Sequence, residues 1–489
     1  MPKITGPNIG FIRKEVEKQL PKWGLVDDTV EGEDAIKLKG EKYLPKPETH
    51  TDTKLNDKIY KKYKTRAVFF PVTGRTLSGL VGQVFSKPVA TEIPPNLDLL
   101  KEDIDGAGTT LEQQSKETLE SVLKKGRGGL LSDFPRVDPE AVVTKADLES
   151  GKLRPRILFY APGQIINWRE QTTGGETKLA LLVLFENKIV NDDGFEFETS
   201  PRWRVYRLTE NGVTVEVWKK ETDKATEHVV YVVDEEEASI IGADKKPLST
   251  IPFSFVGANN NDATVDESPL YSLAQLNVAH YRNSADYEQS LFIVGQATPV
   301  FTGLTDDWVT KHIQGKVTLG SSTPVSLPQG ATAELLQAEP NSMPMEGMKH
   351  KEDQMKAIGA KLIEPGTVER TATEAEIEET SEASILSSVA KNVSAAYEMA
   401  LYFCSLFIEE AKPDDITVAL NSEFQVTGLN FQERQEVLGA WQAGVLVWEE
   451  VRDVYRRKGI ATVKDEDAKT KIENELITLD GGGNKGNGE

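Results

Sequence analysis

The chain has 489 residues, 38% of them hydrophobic and 28% charged, with a formal net charge of -21. That length exceeds what one hydrophobic core usually organises, so two or more structural regions are expected. The charge balance excludes a protein that coats nucleic acid through a basic surface, no window approaches the apolar length of a membrane span, and the single cysteine, Cys404, excludes an internal disulfide framework.

Met1 to Phe11 lack a basic segment followed by an apolar run, so no signal peptide is expected. Cys404 lies in an apolar helical stretch and reads as a buried, inert thiol in a reducing compartment. The acidic charge remains compatible with a surface past which DNA slides, because such a wall repels phosphate and gives it no well in which to stick.

Residues 1 to about 55 are polar and interrupted by proline, and are expected to form a peripheral arm. Tyr60, Tyr63, Ala67 and Phe70 then recur at helical spacing. After Pro71, Thr73 is placed to cap a second helix carrying Leu77, Leu80, Val81 and Val84. A third helix is predicted from Thr110 to Lys125, stopped by Gly126, and Gly129–Leu131 then starts a short strand that stops at Asp133–Pro135.

Residues 155 to 257 read as one mixed or antiparallel β region. Arg202–Leu208 and Val213–Trp218 flank an Asn211–Gly212 turn, a strong hairpin signal. Leu179–Phe185 suits a strand buried on both faces, and Val229–Val233 and Ile251–Val256 add further strands. Ser268–Pro269 opens a helix that runs to about Ile293. Gln275, Asn277, His280, Asn283, Ser284 and Gln289 interrupt its apolar stripe, so it is expected to pack against neighbouring chains or to line a wet surface.

Five prolines and the β-like pieces Lys316–Leu319, Val325–Leu327 and Ala333–Leu336 mark a small insert between Thr298 and Pro344. A helix returns over residues 345 to 363, broken by Pro365–Gly366. A long helix is predicted from Thr373 to Ala411, its acidic first turns (Glu374 to Glu382) matching the positive end of the helix dipole. Strand-like Ile416–Leu420 and Phe424–Val426 follow, then helices over Phe431–Gln442 and Trp448–Lys458. The Gly/Asn-rich tail is expected to be disordered.

None of the catalytic patterns sought stands out. Gly315–Lys316 lacks the glycine and hydroxyl of a phosphate loop, and the histidines at 50, 228, 280, 312 and 350 have no metal-ligand spacing. No G-x-S-x-G elbow or H-E-x-x-H pair occurs. Pro413–Asp414 reads as a helix terminator, and Gly126–Gly129 as a helix C-cap and turn. Asn392–Val393–Ser394 is a sequon placed mid-helix. No enzyme activity, cofactor or metal is expected.

The order of elements resembles the portal proteins of tailed bacteriophages, the head-to-tail connectors. Arg66–Phe70 with Thr76–Phe85, and Val122–Asp133, are similar to the wing of one portal family; Thr371–Ala375 resembles the start of its long helix, and Trp441–Val445 with Arg457–Ile460 its C-terminal helices. The resemblance spans roughly residues 55 to 460 and contains no catalytic motif.

It implies an α+β fold of portal architecture: an α/β wing, a helical stem, a small β-containing clip and a C-terminal helical crown. The implied division is a peripheral arm over 1–54, a wing over 55–267, a stem helix over 268–297, a clip over 298–344 and a second stem helix over 345–363. A tunnel loop over 364–372, the long wing helix and strands over 373–429, the crown over 430–476 and a disordered tail over 477–489 complete it. The resemblance also implies a homo-oligomeric ring, twelve-fold in the virion, through which double-stranded DNA is packaged and ejected. Its implied partners are the terminase large subunit, a head–tail adaptor, and the major capsid and scaffolding proteins, with no membrane. The implied location is the capsid portal vertex, with host cytoplasm during assembly.

On that template Glu364, Pro365, Gly366, Glu369 and Arg370 belong to the tunnel loop. Ring symmetry would multiply Glu364, Glu369 and Glu374 into acidic collars, and Lys356 or Lys361 into a phosphate-touching ring. Pairing of those lysines with acids of neighbouring helices is an equal expectation. Two other classes stay open: a phage adaptor without a DNA channel, and a carboxylate-based hydrolase using the Glu374–Glu382 run.

Overall fold

Val16, Trp23 and Val26 lie along a helix, α1 (Lys14–Glu31), and all three are buried although Pro21 lies within it. Proline removes one backbone donor and crowds the preceding turn, so burial of the large side chains beyond it offsets that loss. The computed structural model describes residues 4–5, 7–47, 52–135, 153–222, 228–296, 298–313, 327–337, 342–363, 384–424, 431–457, 461 and 468–469. They divide into two units, Met1–Ser422 and Glu423–Glu489.

The described residues within 1–54 are not the peripheral arm that their polarity suggested. Strand β1 (Ile4–Thr5) pairs in parallel with the segment starting at Val229, and α2 (Glu33–Lys39) follows α1. Val16 and Trp23 enter the main core; Ile36, Tyr43 and Leu44 enter a second core with Tyr63, Phe69 and Tyr281. The apolar positions are sparse but large, which hides their period in the sequence.

Helix α3 (Thr53–Arg66) is capped by Asp52, whose carboxylate accepts from the Lys54 amide at 2.8 Å. Helix α4 (Val72–Val84) follows Pro71, and β2 (Ala90–Glu92) follows α4. Helix α5 (Leu111–Lys125) opens with a reciprocal Thr110–Gln113 capping box at 3.2 and 3.0 Å. It closes at Gly126, whose left-handed φ of 74° brings it against the Asp266 and Glu267 carbonyls.

The expected single β region is two sheets. The smaller has the order β10 (Phe253–Gly257), β3 (Arg127–Asp133), β4 (Arg156–Tyr160), all antiparallel. The larger runs β1, β9 (Val229–Ser239), β8 (Gly212–Thr222), β7 (Phe197–Thr209), β6 (Glu176–Asp192), β5 (Ile165–Thr173). Apart from β1 its neighbours are antiparallel. The β7–β8 hairpin pairs Thr209 with Gly212, so Glu210 and Asn211 form its loop, one residue earlier than predicted.

In β6 full burial on both faces is confined to Leu182–Leu184, a shorter stretch than the predicted Leu179–Phe185. Leu182 and Leu184 join Leu131, Phe253 and Phe255 of the smaller sheet in the main core. Val183, on the opposite face, packs with Ile9, Ile166, Trp203 and Val205. A charged seam also ties the sheets: Arg156 pairs with Asp133 at 2.7 Å, and Arg204 with Glu186 at 2.9 Å. Arg204 approaches Asp133 at 3.9 Å, and the Tyr160 hydroxyl donates to Glu186.

Four further elements complete the first unit's frame: α6 (Tyr271–Val294), the ribbon β11 (Thr298–Thr302) with β12 (Thr332–Leu336), α7 (Met343–Lys361) and α8 (Ile385–Ser405). The described part of the long predicted helix is α8. It ends at Ser405, short of the predicted Ala411, because the Leu406 carbonyl accepts from the Ala243 amide and Ser405 Oγ accepts from the Ala411 amide. The acidic turns at 373–383 lie outside the described residues. Helix α8 packs on the small sheet and α5: Ser132 Oγ donates to the Ala400 carbonyl at 2.7 Å, and Tyr397 donates to Gln114 at 3.1 Å. Strand β13 (Thr417–Ala419) pairs with β2. The second unit contains α9 (Phe431–Gln442) and α10 (Trp448–Arg457), separated at Gly444 with φ 74°.

Candidate functional site

Several polar positions of α6 have partners within this chain. Segment 67–73, between α3 and α4, leaves backbone groups that must be paired once buried. Asn277, fully buried, accepts from the Thr73 amide at 3.1 Å and its hydroxyl at 2.9 Å, and donates to the Phe70 carbonyl at 2.8 Å. Thr73 is therefore an anchor of α4 and not its cap. Ser284 accepts from the Val68 amide at 2.9 Å, and Asp286 from the Tyr63 hydroxyl at 2.6 Å. Arg66 bonds Gln289, and Arg282 donates to the Tyr43 carbonyl. The expectation that this helix turns its polar face to neighbours or water is corrected for these residues. Its last turn is different: Leu291, Phe292 and Ile293 are exposed.

Helix α7 runs antiparallel to α6. His280 meets Glu352 at 3.2 Å while Gly347 faces Asn283, where a Cβ would stand 2.8 Å from the amide nitrogen. Met355 and Leu362 bury the inner face of α7. Lys356 lies on the outer face, exposed and paired with Asp353 of its own helix at 3.0 Å; that hydrogen bond raises the lysine pKa. Lys361 is exposed in the last turn.

Past α7 the Leu362 carbonyl accepts from the Leu386 amide at 3.1 Å. The chain thus leaves this point after Ile363 and returns to it at Ser384. Glu364, Pro365, Gly366, Glu369 and Arg370 fall between, with Glu374, and lie outside the described residues. At the other end of the pair, α6 gives way to the β11–β12 ribbon. Every residue of β12 is exposed, Leu335 and Leu336 among them, and Met343 opens α7 in the same condition. Of the predicted β pieces, Ala333–Leu336 falls in β12, while Lys316–Leu319 and Val325–Ser326 lie outside the described residues.

Among the described residues no group of three or more His, Cys, Asp or Glu side chains could hold a metal, and no helix is long and apolar enough to cross a membrane. Cys404 is buried, and burial pushes its thiol up to about 12. In the second unit a groove of about 300 Å³ is lined by Leu438, Trp441, Trp448 and Tyr455. Two features escaped the sequence reading: the charged seam between the sheets, and Arg127, a wholly buried arginine at the start of β3. The only signal of the latter was a cation placed between Gly126 and Gly128 before an apolar run.

A family model described as a domain of unknown function (DUF4055) matches residues 269–408, the stretch that carries α6, the ribbon, α7 and α8. No curated protein matches the chain. Among solved structures, the chain is similar to a component of the neck of an empty gene transfer agent (GTA) particle computed with C6 symmetry. That match has 14% identity over 81% of this chain and 91% of the other, with a TM-score of 0.37. A component of the virion of a native gene transfer agent particle matches with 15% identity over 81% and 92%, TM-score 0.37. A component of the neck of the native particle, computed with C12 symmetry, matches with 14% identity over 79% and 89%, TM-score 0.33.

Proposed function

We propose that this chain is a structural subunit without catalytic turnover, the portal of a tailed phage or phage-like particle, which closes into a ring around double-stranded DNA. The observation that carries the reading is the α6–α7 pair: an antiparallel rod with one chain excursion at each end, residues 298–342 at one and 364–383 at the other. A two-stranded ribbon is marginal alone in water. β11–β12 and the exposed last turn of α6 therefore suit burial against further copies or a docking partner.

In this reading the end of the rod where the chain leaves at Ile363 and returns at Ser384 faces the DNA. The 298–344 end receives first the packaging motor and then the tail adaptor. Lys356 and Lys361 sit on the outer face of the rod, where twelve-fold repetition sets a band of alternating Asp353 and Lys356 charge. The experiment is electron microscopy of the purified protein viewed down the particle axis. A ring with a bore of roughly 30 Å, wide enough for a hydrated duplex, is expected. Particles lacking a bore would instead indicate an adaptor without a channel.

A further inference from the structure

Strands β6 and β7 outrun their neighbours. β5 pairs with β6 no further than Leu184, and β8 with β7 no further than Arg202, while β6 and β7 stay paired as far as Asp192 and Phe197. From Asn187 to Thr199 the chain is therefore a two-stranded ribbon with its turn, and every residue in it is exposed. Such a ribbon is marginal alone in water. Its turn is nevertheless well held: Asp192 accepts from the Gly194 amide at 2.8 Å, and Asp193 from the Phe195 and Glu196 amides at 2.8 and 2.6 Å. That turn leaves Phe195 96% exposed, and Ile189, Val190 and Phe197 are each more than half exposed. Asp192, Asp193, Glu196 and Glu198 outweigh the one cation of the ribbon, Lys188.

Helix α3 has the opposite charge. Lys54, Lys58, Lys61 and Lys62 recur at spacings of three and four residues, so they share the face turned away from buried Asn56 and Tyr63. All four are exposed, and none has an ion pair among the described residues. The one acid of α3, Asp57, pairs with Lys46. Leu55, 37% exposed, lies one turn from Lys58 and two from Lys62.

We propose that the β6–β7 ribbon of one copy of this chain docks on the α3 lysine face of the next, with Phe195 against Leu55, and Glu196 and Glu198 against Lys58 and Lys62. The inference rests on the ring reading above. Copies that each carry a net charge of -21 repel one another, so they attract only where opposite charges meet locally. The two surfaces supply that complement, one acidic and apolar, the other basic and apolar. Their lengths agree, about 17 Å for the paired arms of the ribbon and about 12 Å for the lysine stripe. Ribbon and helix are different surfaces of the chain, so the contact is head-to-tail, the type that closes rings. A DNA backbone would meet the lysines but leave the aromatic tip of the ribbon uncovered.

The test is sedimentation velocity at one fixed ionic strength. It compares the wild-type protein, Glu196→Lys with Glu198→Lys, Lys58→Glu with Lys62→Glu, and all four substitutions combined. Circular dichroism checks that each still folds, as changes at exposed side chains allow. Either pair alone should lower the ring fraction about tenfold or more. The glutamate changes should do so although they reduce the negative charge, and with it the general repulsion. The combined variant keeps the wild-type net charge, restores the complementarity and should recover rings. Rings unaffected by either pair, or not recovered in the combined variant, would overturn this contact and leave the ring reading standing. A wild-type protein that stays monomeric would overturn both.

Discussion

Asn277 satisfies with one side chain three polar groups of the turn into α4: the Thr73 amide, the Thr73 hydroxyl and the Phe70 carbonyl. Asn277→Ala would leave the buried amide and hydroxyl without an acceptor and the carbonyl without that donor. The expected loss of stability is about 3 kcal/mol, read as a lower urea midpoint at unchanged slope; a loss below about 0.5 kcal/mol, the scale of a surface substitution, would contradict that role. Cys404 makes a second test. Its ordinary pKa of 9.0 rises to about 12 in the folded protein, chiefly through burial. Burial likewise lifts Tyr281 from 10.0 to about 12. The fold therefore favours the protonated forms, and their contribution is complete below pH 9, then lost as pH climbs toward 12. Native protein should leave a thiol reagent unreacted at pH 8 and react fully once unfolded in urea. Cys404 was legible in the sequence as a buried thiol because it follows the apolar run Met399–Phe403 of its helix, broken only by Tyr402. The role of Asn277 was not, because its partners Thr73 and Phe70 lie far away in the chain.

At the scale of elements, helix termini were the most legible features. Thr110 with Gln113, and Gly126, mark both ends of α5 by local chemistry alone. Gly126→Ala should cost roughly 2 kcal/mol, since a Cβ there would stand 2.5 Å from the Asp266 carbonyl oxygen on a left-handed backbone. Differential scanning calorimetry checks it. Elements set by distant partners were less legible. Helix α1 is hidden by Pro21, the β region divides into two sheets because its core forms between them, and α8 stops where other segments capture its last groups. The β11–β12 ribbon carries the element-scale prediction of the functional reading. Leu335→Glu with Leu336→Glu changes two exposed side chains, so folding of the single chain should be unaltered by circular dichroism. Assembly into rings should fall sharply by size-exclusion chromatography. Unchanged ring yield would remove the ribbon from the interface.

For the whole molecule, what was legible was a mixed α and β chain in which a helix, a small β insert and a returning helix follow one another. In the α6–α7 rod Asn277, Ser284 and Asp286 are used inside the chain, while Leu291, Phe292 and Ile293 are bare at one end. A charge of -21 on every copy means that neighbours repel, so ring closure should strengthen as added salt shortens the screening length. Native mass spectrometry of the purified protein, sprayed from solutions of increasing ionic strength, tests the central claim most directly. The account predicts one dominant closed species of twelve times the 54.0 kDa chain mass, enriched at higher salt. A 54.0 kDa monomer persisting at every concentration and ionic strength would contradict it.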